Sequence, residues 1–221
     1  MARADSDRRL PTRLVVALIL GAALLITVGV GVGRFSVPTA ASPDTFSAEA
    51  GFARDMQTHH LQAVELSMIV RDATDDQEIR SLAYDIATTQ SQQAGQMHGW
   101  LNVWGLPQAS AEPSMTWMTQ PVPGGSAHDH GAAATTPVAG DRMPGYATDA
   151  QIASLRSATG VDAEKLFLHL MIAHHEGGVE MAEAVLERST NRTVDSLARG
   201  MVKAQRAEID YMKELLAKRG G

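Results

Sequence analysis

The sequence predicts an all-α protein in which four long helices form an antiparallel four-helix bundle, preceded by a single transmembrane helix. Three observations predict this fold: an internal repeat, apolar residues at helical spacing in both copies, and an uncharged apolar stretch near the N-terminus. The doublet His59 and His60 recurs as His174 and His175, and the same offset persists over about fifty residues. Each copy is predicted to be a helical hairpin. Since one hairpin cannot bury its apolar face alone, the two duplicated hairpins should pack together.

The apolar stretch, residues 14–33, contains no charged residue. At about 1.5 Å rise per residue, a helix of this length spans the hydrocarbon core of a bilayer. Four arginines precede it, which predicts that residues 1–13 stay in the cytoplasm and that the remainder lies outside. Residues 34–44 then form a short tether. The alternative is a cleaved signal sequence with Thr39–Ala41 as its exit site, but the length of the stretch favours a retained anchor.

The composition limits the classes of function. A net charge of −6 gives no basis for nucleic-acid binding, which usually needs a basic surface. The chain has no cysteine, which excludes disulfides and thiolate metal sites, but it has 11 methionines. A thioether is a soft metal donor that is not lost to disulfide formation in an oxidising compartment, so this composition suggests a soft metal. Methionine also fills irregular cores, which is the interpretation we favour for Met68 and Met201.

The first hairpin is predicted over residues 45–105. Its first helix should begin near Asp44 or Ser47, which are both good N-caps. The inward stripe of that helix, spaced by three and four residues, is Phe52, Met56, His59, Ala63, Leu66 and Val70. The second helix follows Thr74–Asp75 and ends at Gly105. Its stripe is Ile79, Leu82, Ile86, Gln90, Gln93, Met97 and Trp100.

Residues 106–147 contain six prolines and no sustained period, so they are predicted to be a long crossover loop. The loop carries several side chains that could bind a metal or anchor the loop: Met115, Trp117, Met118, His128, His130 and Met143. The two histidines could capture a metal and pass it inward, or they could simply be solvated, and the sequence favours neither.

The second hairpin is predicted over residues 148–221. It begins with a short helix. A capping box formed by Thr148 and Gln151 is expected at the start of this helix, and Gly160 is expected to end it. The third long helix should begin at Asp162 and the fourth after Ser189–Asn191. Their stripes are Phe167, Met171, His174, Gly178, Met181 and Val185, and then Val194, Leu197, Met201, Gln205, Glu208, Met212 and Leu215.

These stripes place polar side chains on faces that should be buried: His59, Gln90, Gln93, His174, Gln205 and Glu208, with His60 and His175 beside them. Burying an unpaired polar group costs roughly 2 to 7 kcal/mol, so these groups must bond to one another, to water or to an ion. One interpretation is a structural polar core. The other is a metal site, which the duplication favours, because two facing copies of Met-x-x-His-His gather four imidazoles and at least two thioethers.

The predicted metal ligands are Met56, His59, His60, Met97, Met171, His174, His175, Met181 and Met212. Mixed thioether and imidazole donors favour copper, particularly Cu(I), over magnesium and calcium, which need oxygen ligands. Silver fits the same donors, and zinc fits the histidines alone. The side chains predicted to orient the imidazoles by hydrogen bonds are Gln90, Gln93, Gln205 and Glu208.

The sequence does not indicate an enzyme. A di-iron carboxylate bundle needs two Glu-x-x-His motifs, and the chain has none. It also lacks His-Glu-x-x-His and Gly-x-Ser-x-Gly, which are typical of metalloproteases and of hydrolases. His98 and His169 fall off the buried stripes, so we expect both to be exposed.

The motifs taken together resemble a known family, named domain of unknown function 305, over residues 46–219. The likeness is carried by Met171-x-x-His174-His175, Gly177-Gly178-x-x-Met181, Gln205-x-x-Glu208-x-x-x-Met212 and Met143-Pro144-Gly145. The resemblance implies a ferritin-like helical bundle and, as in some members, periplasmic copper binding or copper resistance. This chain departs from the family pattern at Leu66, Gln93 and Tyr146, so the second repeat is the better preserved.

The sequence therefore predicts a membrane-anchored protein outside the cytoplasm that serves in copper sequestration, delivery or tolerance. Its expected partners are the metal ion, the membrane, and a copper donor or acceptor protein or a membrane complex. The alternative is a non-enzymatic accessory or interaction subunit of a membrane complex, in which the polar core is only structural.

Overall fold

The computed structural model describes residues 11–36, 42–124 and 138–220. These residues form α-helices, one short 3₁₀ helix and no β-strand, so the all-α prediction is confirmed for them. The chain divides into two compact units, Met1–Ser42 and Pro43–Gly221.

The first unit contains helix α1, Thr12–Ser36. Its segment Thr12–Gly33 is long and apolar enough to cross a membrane, judged by length and composition alone. A transmembrane anchor and a signal sequence share these properties, so α1 agrees with both interpretations of the N-terminal stretch.

The first hairpin of the second unit consists of α2, Ala48–Ala73, and α3, Gln77–Trp104. The Ser47 hydroxyl accepts a hydrogen bond from the Ala50 N–H at 3.2 Å and so caps the free N–H groups at the start of α2. Gly105 ends α3 with φ 70°, a conformation that a residue without Cβ adopts easily.

A short 3₁₀ helix, Thr116–Thr119, lies in the part of the crossover where the sequence predicts only a loop. Trp117 at its centre is buried, and its ring packs edge-on against Phe52 with centroids 5.7 Å apart. Its indole N–H donates a hydrogen bond of 2.9 Å to the Asp55 carboxylate. Trp117 therefore anchors the beginning of the crossover on α2.

The second hairpin comprises α4, Asp149–Ser157, α5, Gly160–Arg188, and α6, Arg192–Lys218. The capping box predicted for α4 is present. The expected roles of Gly160 and Asp162 are wrong, because Gly160 is the first residue of α5 and Thr159 is its N-cap. Gly160 has φ 55°, and a glycine in this region is typical of a junction between helices. The sequence signal marks the junction but does not say which helix the glycine belongs to.

Packing within the second unit joins α2 to α3, α5 to α6, and α2 to α5. The N-terminal half of α2 and the C-terminal half of α5 share one apolar cluster, and the opposite halves share a second. Helices α2 and α5 therefore run antiparallel. We call the first group the methionine-rich cluster because it contains Met56, Met97, Met115, Met118, Met143, Met181 and Met201. The second cluster contains Met171 and Met212.

A buried ion pair fastens the end of α6 to the rest of the unit. Glu164 is only 4% exposed, and its carboxylate accepts hydrogen bonds from Arg219 Nε at 2.5 Å and from the Thr74 hydroxyl at 2.5 Å. Arg219 also pairs with Asp76 at 3.0 Å. These contacts join the end of α6 to α5 and to the start of α3.

Replacing Glu164 by alanine should lower the free energy of unfolding by about 3 kcal/mol, because it leaves a buried guanidinium short of its partner. Urea denaturation followed by circular dichroism measures the loss. The matched control is Glu183→Ala, whose pair with Arg206 is exposed and should contribute less than about 1 kcal/mol. Equal losses in the two variants would contradict the prediction.

Candidate metal centre

A layer of polar side chains lies about halfway along the four long helices, between the two apolar clusters. We call it the polar layer, and it consists of His59 and His60 from α2, Gln90 and Gln93 from α3, His174 and His175 from α5, and Gln205 and Glu208 from α6. The four histidines are completely buried, with 0% of each residue exposed. Burying four imidazoles inside one helical unit costs free energy unless their polar atoms are hydrogen-bonded. Their hydrogen bonds indicate how the layer is stabilised.

The two inner histidines, His59 from α2 and His174 from α5, bond to main-chain oxygens. His59 Nε2 lies 3.0 Å from the carbonyl oxygen of Pro144, and His174 Nε2 lies 2.8 Å from the carbonyl oxygen of His59. A carbonyl oxygen can only accept, so Nε2 must carry the proton in both rings. In a neutral imidazole the other nitrogen, Nδ1, then keeps a free lone pair.

The outer histidines bond to the neighbouring helix of their own hairpin. His60 Nε2 lies 2.7 Å from Gln93 Oε1, and His175 Nε2 lies 2.6 Å from the Glu208 carboxylate. These two contacts occupy equivalent positions of the two repeats. Gln93 and Glu208 therefore orient the outer rings, and in a neutral ring each contact places the proton on Nε2 rather than on Nδ1.

All four Nδ1 atoms are buried, and none has a hydrogen-bond partner within the described part of the chain. Both amide atoms of Gln90 and Gln205 are likewise unpaired there. Buried polar atoms almost always find a partner, so this concentration of unpaired atoms in one layer needs an explanation. Four buried imidazole nitrogens without a hydrogen-bond partner are a donor set that suits a late transition metal.

The two histidine doublets meet in the interior. The rings of His59 and His174 lie 3.8 Å apart between centroids, and each doublet has its own rings 6.3 Å apart. Loss of hydration on burial lowers the pKa of His59 to about 4. Burial, reinforced by the neighbouring His59, lowers the pKa of His60 to about 3. Burial also holds the pKa of His174 well below its ordinary value. These three imidazoles are neutral at pH 7 and keep the lone pairs that a metal requires.

The predicted thioether ligands are divided between the two sides of the polar layer. Met56, Met97 and Met181 belong to the methionine-rich cluster, whereas Met171 and Met212 belong to the second cluster. This separation follows from the antiparallel packing. A methionine one turn before the histidines of α2 must lie on the opposite side from its equivalent in α5. The sequence leads us to expect a single group of imidazoles and thioethers, and the structure instead places one set of thioethers on each side of the imidazoles.

Within the residues that the structure describes, no three His, Asp or Glu side chains converge closely enough to hold an ion. A centre with three or more ligands in the polar layer would need donors of another kind as well, and the sequence predicts thioethers for that role.

Other candidates lie away from the layer. His98 and His169 are exposed, as expected. His128 and His130 lie outside the described residues. Met201 is buried as predicted, but the prediction that Met68 fills the core is wrong, since Met68 is 49% exposed.

Sequence reasoning missed how the end of the crossover contacts the layer. Pro144 supplies the oxygen that His59 binds, and the Gln62 side chain exchanges two hydrogen bonds with the backbone of Ala147, at 2.7 and 3.0 Å. A Cβ on Gly177 would clash with the Pro144 carbonyl. The available signals were a glycine pair inside a predicted helix and the Met-Pro-Gly turn, neither of which reveals a partner for a histidine.

Comparison with known proteins shows which solved structures this chain is similar to. No curated protein matches it. A DUF305 protein from Streptomyces coelicolor is 49% identical with a TM-score of 0.70, and the match covers 80% of this chain and 97% of the other. A DUF305 fragment from Deinococcus radiodurans is 32% identical with a TM-score of 0.60, and the match covers 77% and 96% of the two chains.

A more distant similarity is to CopM in its Cu(I)-bound form. It is 20% identical with a TM-score of 0.55, and the match covers 79% of this chain and 99% of CopM. CopM also has structures in Cu(II)-bound, silver-bound and apo forms. At this identity the likeness establishes a shared fold.

The family assignment rests on the whole helical unit. The model of the family described as "Domain of unknown function (DUF305)" matches residues 49–216, a range that begins at the start of α2 and ends near the end of α6. This range includes every member of the polar layer and every predicted thioether ligand. With that match and the 49% identity to a solved member, the chain belongs to the DUF305 family.

Proposed function

We propose that this protein binds copper, chiefly as Cu(I), between its two hairpins and serves in copper sequestration, delivery or tolerance without catalysing a reaction. We infer that α1 is a single-pass anchor with its N-terminus in the cytoplasm and the helical unit outside. We also infer that α2, α3, α5 and α6 form an antiparallel four-helix bundle of the ferritin-like type. A copper donor or acceptor, either a protein or a membrane complex, is the expected partner.

One observation supports the proposal most strongly. Four buried Nδ1 atoms lie in one layer, and no hydrogen bond uses them in the described part of the chain. Each Nε2 lies against an oxygen atom, so a neutral ring carries its proton there and not on Nδ1. A purely structural polar core would be expected to pair these atoms, because an unpaired buried acceptor lowers stability.

The charge of the layer favours a monovalent cation. The amides and thioethers carry no charge, the rings of His59, His60 and His174 are neutral, and the single carboxylate of the layer, Glu208, has a side chain that is 30% exposed. The desolvation cost of an ion rises with the square of its charge, so a divalent ion costs about four times as much as a monovalent one. Cu(I) and silver therefore fit this interior better than zinc. The similarity to CopM, whose copper-bound and silver-bound structures are known, is in keeping with this proposal.

The proposal is tested by measuring the Cu(I) affinity of the full-length protein in detergent, in competition with a chromophoric Cu(I) chelator. Replacing His59, His60, His174 and His175 by alanine should weaken binding by about 1000-fold or more, since it removes every imidazole donor. The control replaces the exposed His98 and His169, and it should retain the affinity of the unmodified protein.

Two results would count against the proposal. Equal Cu(I) affinity in both variants would exclude the polar layer as the site. If the protein is isolated from membranes without metal and with a stoichiometric protein partner, the alternative role as an accessory subunit would be favoured instead.

A further inference from the structure

We infer that the segment Met143–Ala147 determines which nitrogen of His59 carries the proton, and that Gly177 is the positioning residue that allows the contact between Pro144 and His59. The inference rests on the proposed function in one respect: the nitrogen that the segment leaves free is the one that would bind the metal. The contact itself is a property of the metal-free protein.

The segment crosses the polar layer from one apolar cluster to the other. Met143 is buried in the methionine-rich cluster and Ala147 in the second cluster. Between them the chain makes a tight turn, in which the Tyr146 N–H donates to the Met143 carbonyl at 3.1 Å and Gly145 has φ 69°. Both ends of the turn are therefore fixed in the core.

The Gln62 amide fastens the C-terminal end of the segment to α2. Its Oε1 accepts a hydrogen bond from the Ala147 N–H at 2.7 Å, and its Nε2 donates to the Ala147 carbonyl at 3.0 Å. Gln62 is 4% exposed, so these two bonds are shielded from water. The side chain lies three residues after His59, hence on the same face of α2.

The backbone of the segment lies directly against the backbone of α5. A Cβ on Gly145 would clash with the Ala173 carbonyl, and a Cβ on Gly177 would clash with the Pro144 carbonyl. Two glycines thus allow the approach that brings the Pro144 oxygen to 3.0 Å from His59 Nε2. Any side chain at position 177 must move that oxygen.

This contact makes the two inner histidines unlike each other. His174 donates to the His59 carbonyl, a partner that comes from the facing helix, whereas His59 donates to the crossover. The segment lies between the repeats, so the first repeat contains no counterpart of it. The Pro144 carbonyl fixes the proton on His59 Nε2 and leaves His59 Nδ1 as the donor nitrogen.

The matched pair Gly177→Ala and Gly200→Ala tests the inference. Both substitutions place alanine inside a helix, where it is a better helix former than glycine. At position 200 the added Cβ meets nothing within 4 Å, whereas at position 177 it meets the Pro144 carbonyl. The readout is the ¹⁵N chemical shifts of the histidine ring nitrogens in the full-length, metal-free protein in detergent, with His59 assigned from a His59→Gln spectrum.

The unmodified protein and Gly200→Ala should show His59 protonated at Nε2 and unprotonated at Nδ1. Gly177→Ala should lose that single tautomer, and its Cu(I) affinity should fall about 10- to 100-fold, as is typical when a partner that orients a ligand is lost. Retention of the Nε2–H tautomer and of the affinity in Gly177→Ala would overturn the inference.

A second variant decides the matter if Gly177→Ala does not fold. Gln62→Met keeps the length of the side chain, removes both bonds to Ala147 and adds no atom near Pro144, and it should loosen the His59 tautomer in the same way. An unchanged tautomer in this variant would overturn the inference. If the unmodified protein binds no Cu(I), the proposed function fails, but the comparison of tautomers in metal-free protein still decides the role of the segment.

Discussion

Acidification should unfold the metal-free protein between about pH 5 and pH 4, because its buried histidines resist protonation while those of the unfolded chain do not. Burial lowers the pKa of His59 to about 4 and that of His60 to about 3, and it also lowers the pKa of His174. Above the unfolded pKa of about 6.5 the three histidines are neutral in both states, so they make no pH-dependent contribution to the free energy of unfolding. As the pH falls through that value, the unfolded chain gains protons that the folded protein cannot accept.

The expected effect is large. At about 1.4 kcal/mol per pH unit below about 6.5, His59 and His60 together cost on the order of 6 kcal/mol by the time the pH has fallen to about 4, and His174 adds to this loss. Whole domains are stable by only about 5 to 15 kcal/mol, so this loss is sufficient to unfold the protein. Cu(I) bound at Nδ1 would compete with the protons and should move the transition to lower pH.

Urea denaturation at a series of pH values checks this prediction. Below pH 6 the free energy of unfolding should fall with decreasing pH, and His60→Gln should reduce that slope by about 1.4 kcal/mol per pH unit. His169→Gln, which alters an exposed histidine, should leave the slope unchanged. A stability that stays constant between pH 7 and pH 4 would contradict the assignment of neutral, buried imidazoles.

Removing the thioethers should have the second largest effect. Replacing Met56, Met97, Met171 and Met212 by leucine should weaken Cu(I) binding by about 10,000-fold or more, if each lost donor costs at least about tenfold. Leucine has nearly the volume of methionine, so each single replacement should cost less than about 1.5 kcal/mol of stability. The protein should therefore stay folded while its soft donors are lost.

The division of the methionines provides an internal control for this experiment. The pair Met56 and Met97 and the pair Met171 and Met212 lie on opposite sides of the polar layer, so each pair can be replaced separately. Chelator competition should detect a loss for each pair and no loss for Met68→Leu, since Met68 is exposed. Unchanged affinity in the fourfold variant would show that these four thioethers are not ligands.

Local sequence patterns predicted much of the fold, because each pattern has a direct physical cause. Stripes spaced by three and four residues identified the buried faces of α2 and α5, and all members of those two stripes are buried. The Ser47 cap and the left-handed Gly105 also follow from short-range chemistry. The inward position of His59 and His174 required only helical geometry.

What the sequence could not provide depends on contacts between distant segments. The separation of Met56 from Met171 depends on the antiparallel packing of α2 on α5, which turns equivalent positions toward opposite ends. The partner of His59 is a main-chain oxygen 85 positions away. Every residue has a main-chain carbonyl, so the residue type does not reveal which one accepts the hydrogen bond. Gly160 is a local example of the same difficulty. A glycine between two helices can end the first or begin the second, and the sequence does not distinguish these two positions.

The unpaired amides of Gln90 and Gln205 have a consequence for the lifetime of the protein in the cell. A resting form that contains unsatisfied interior groups opens more often, and proteases cleave a chain in proportion to how often it is open. A cation that binds only the closed form reduces that exposure. If copper is that cation, the amount of this protein would rise and fall with copper supply through degradation alone, without any change in its synthesis.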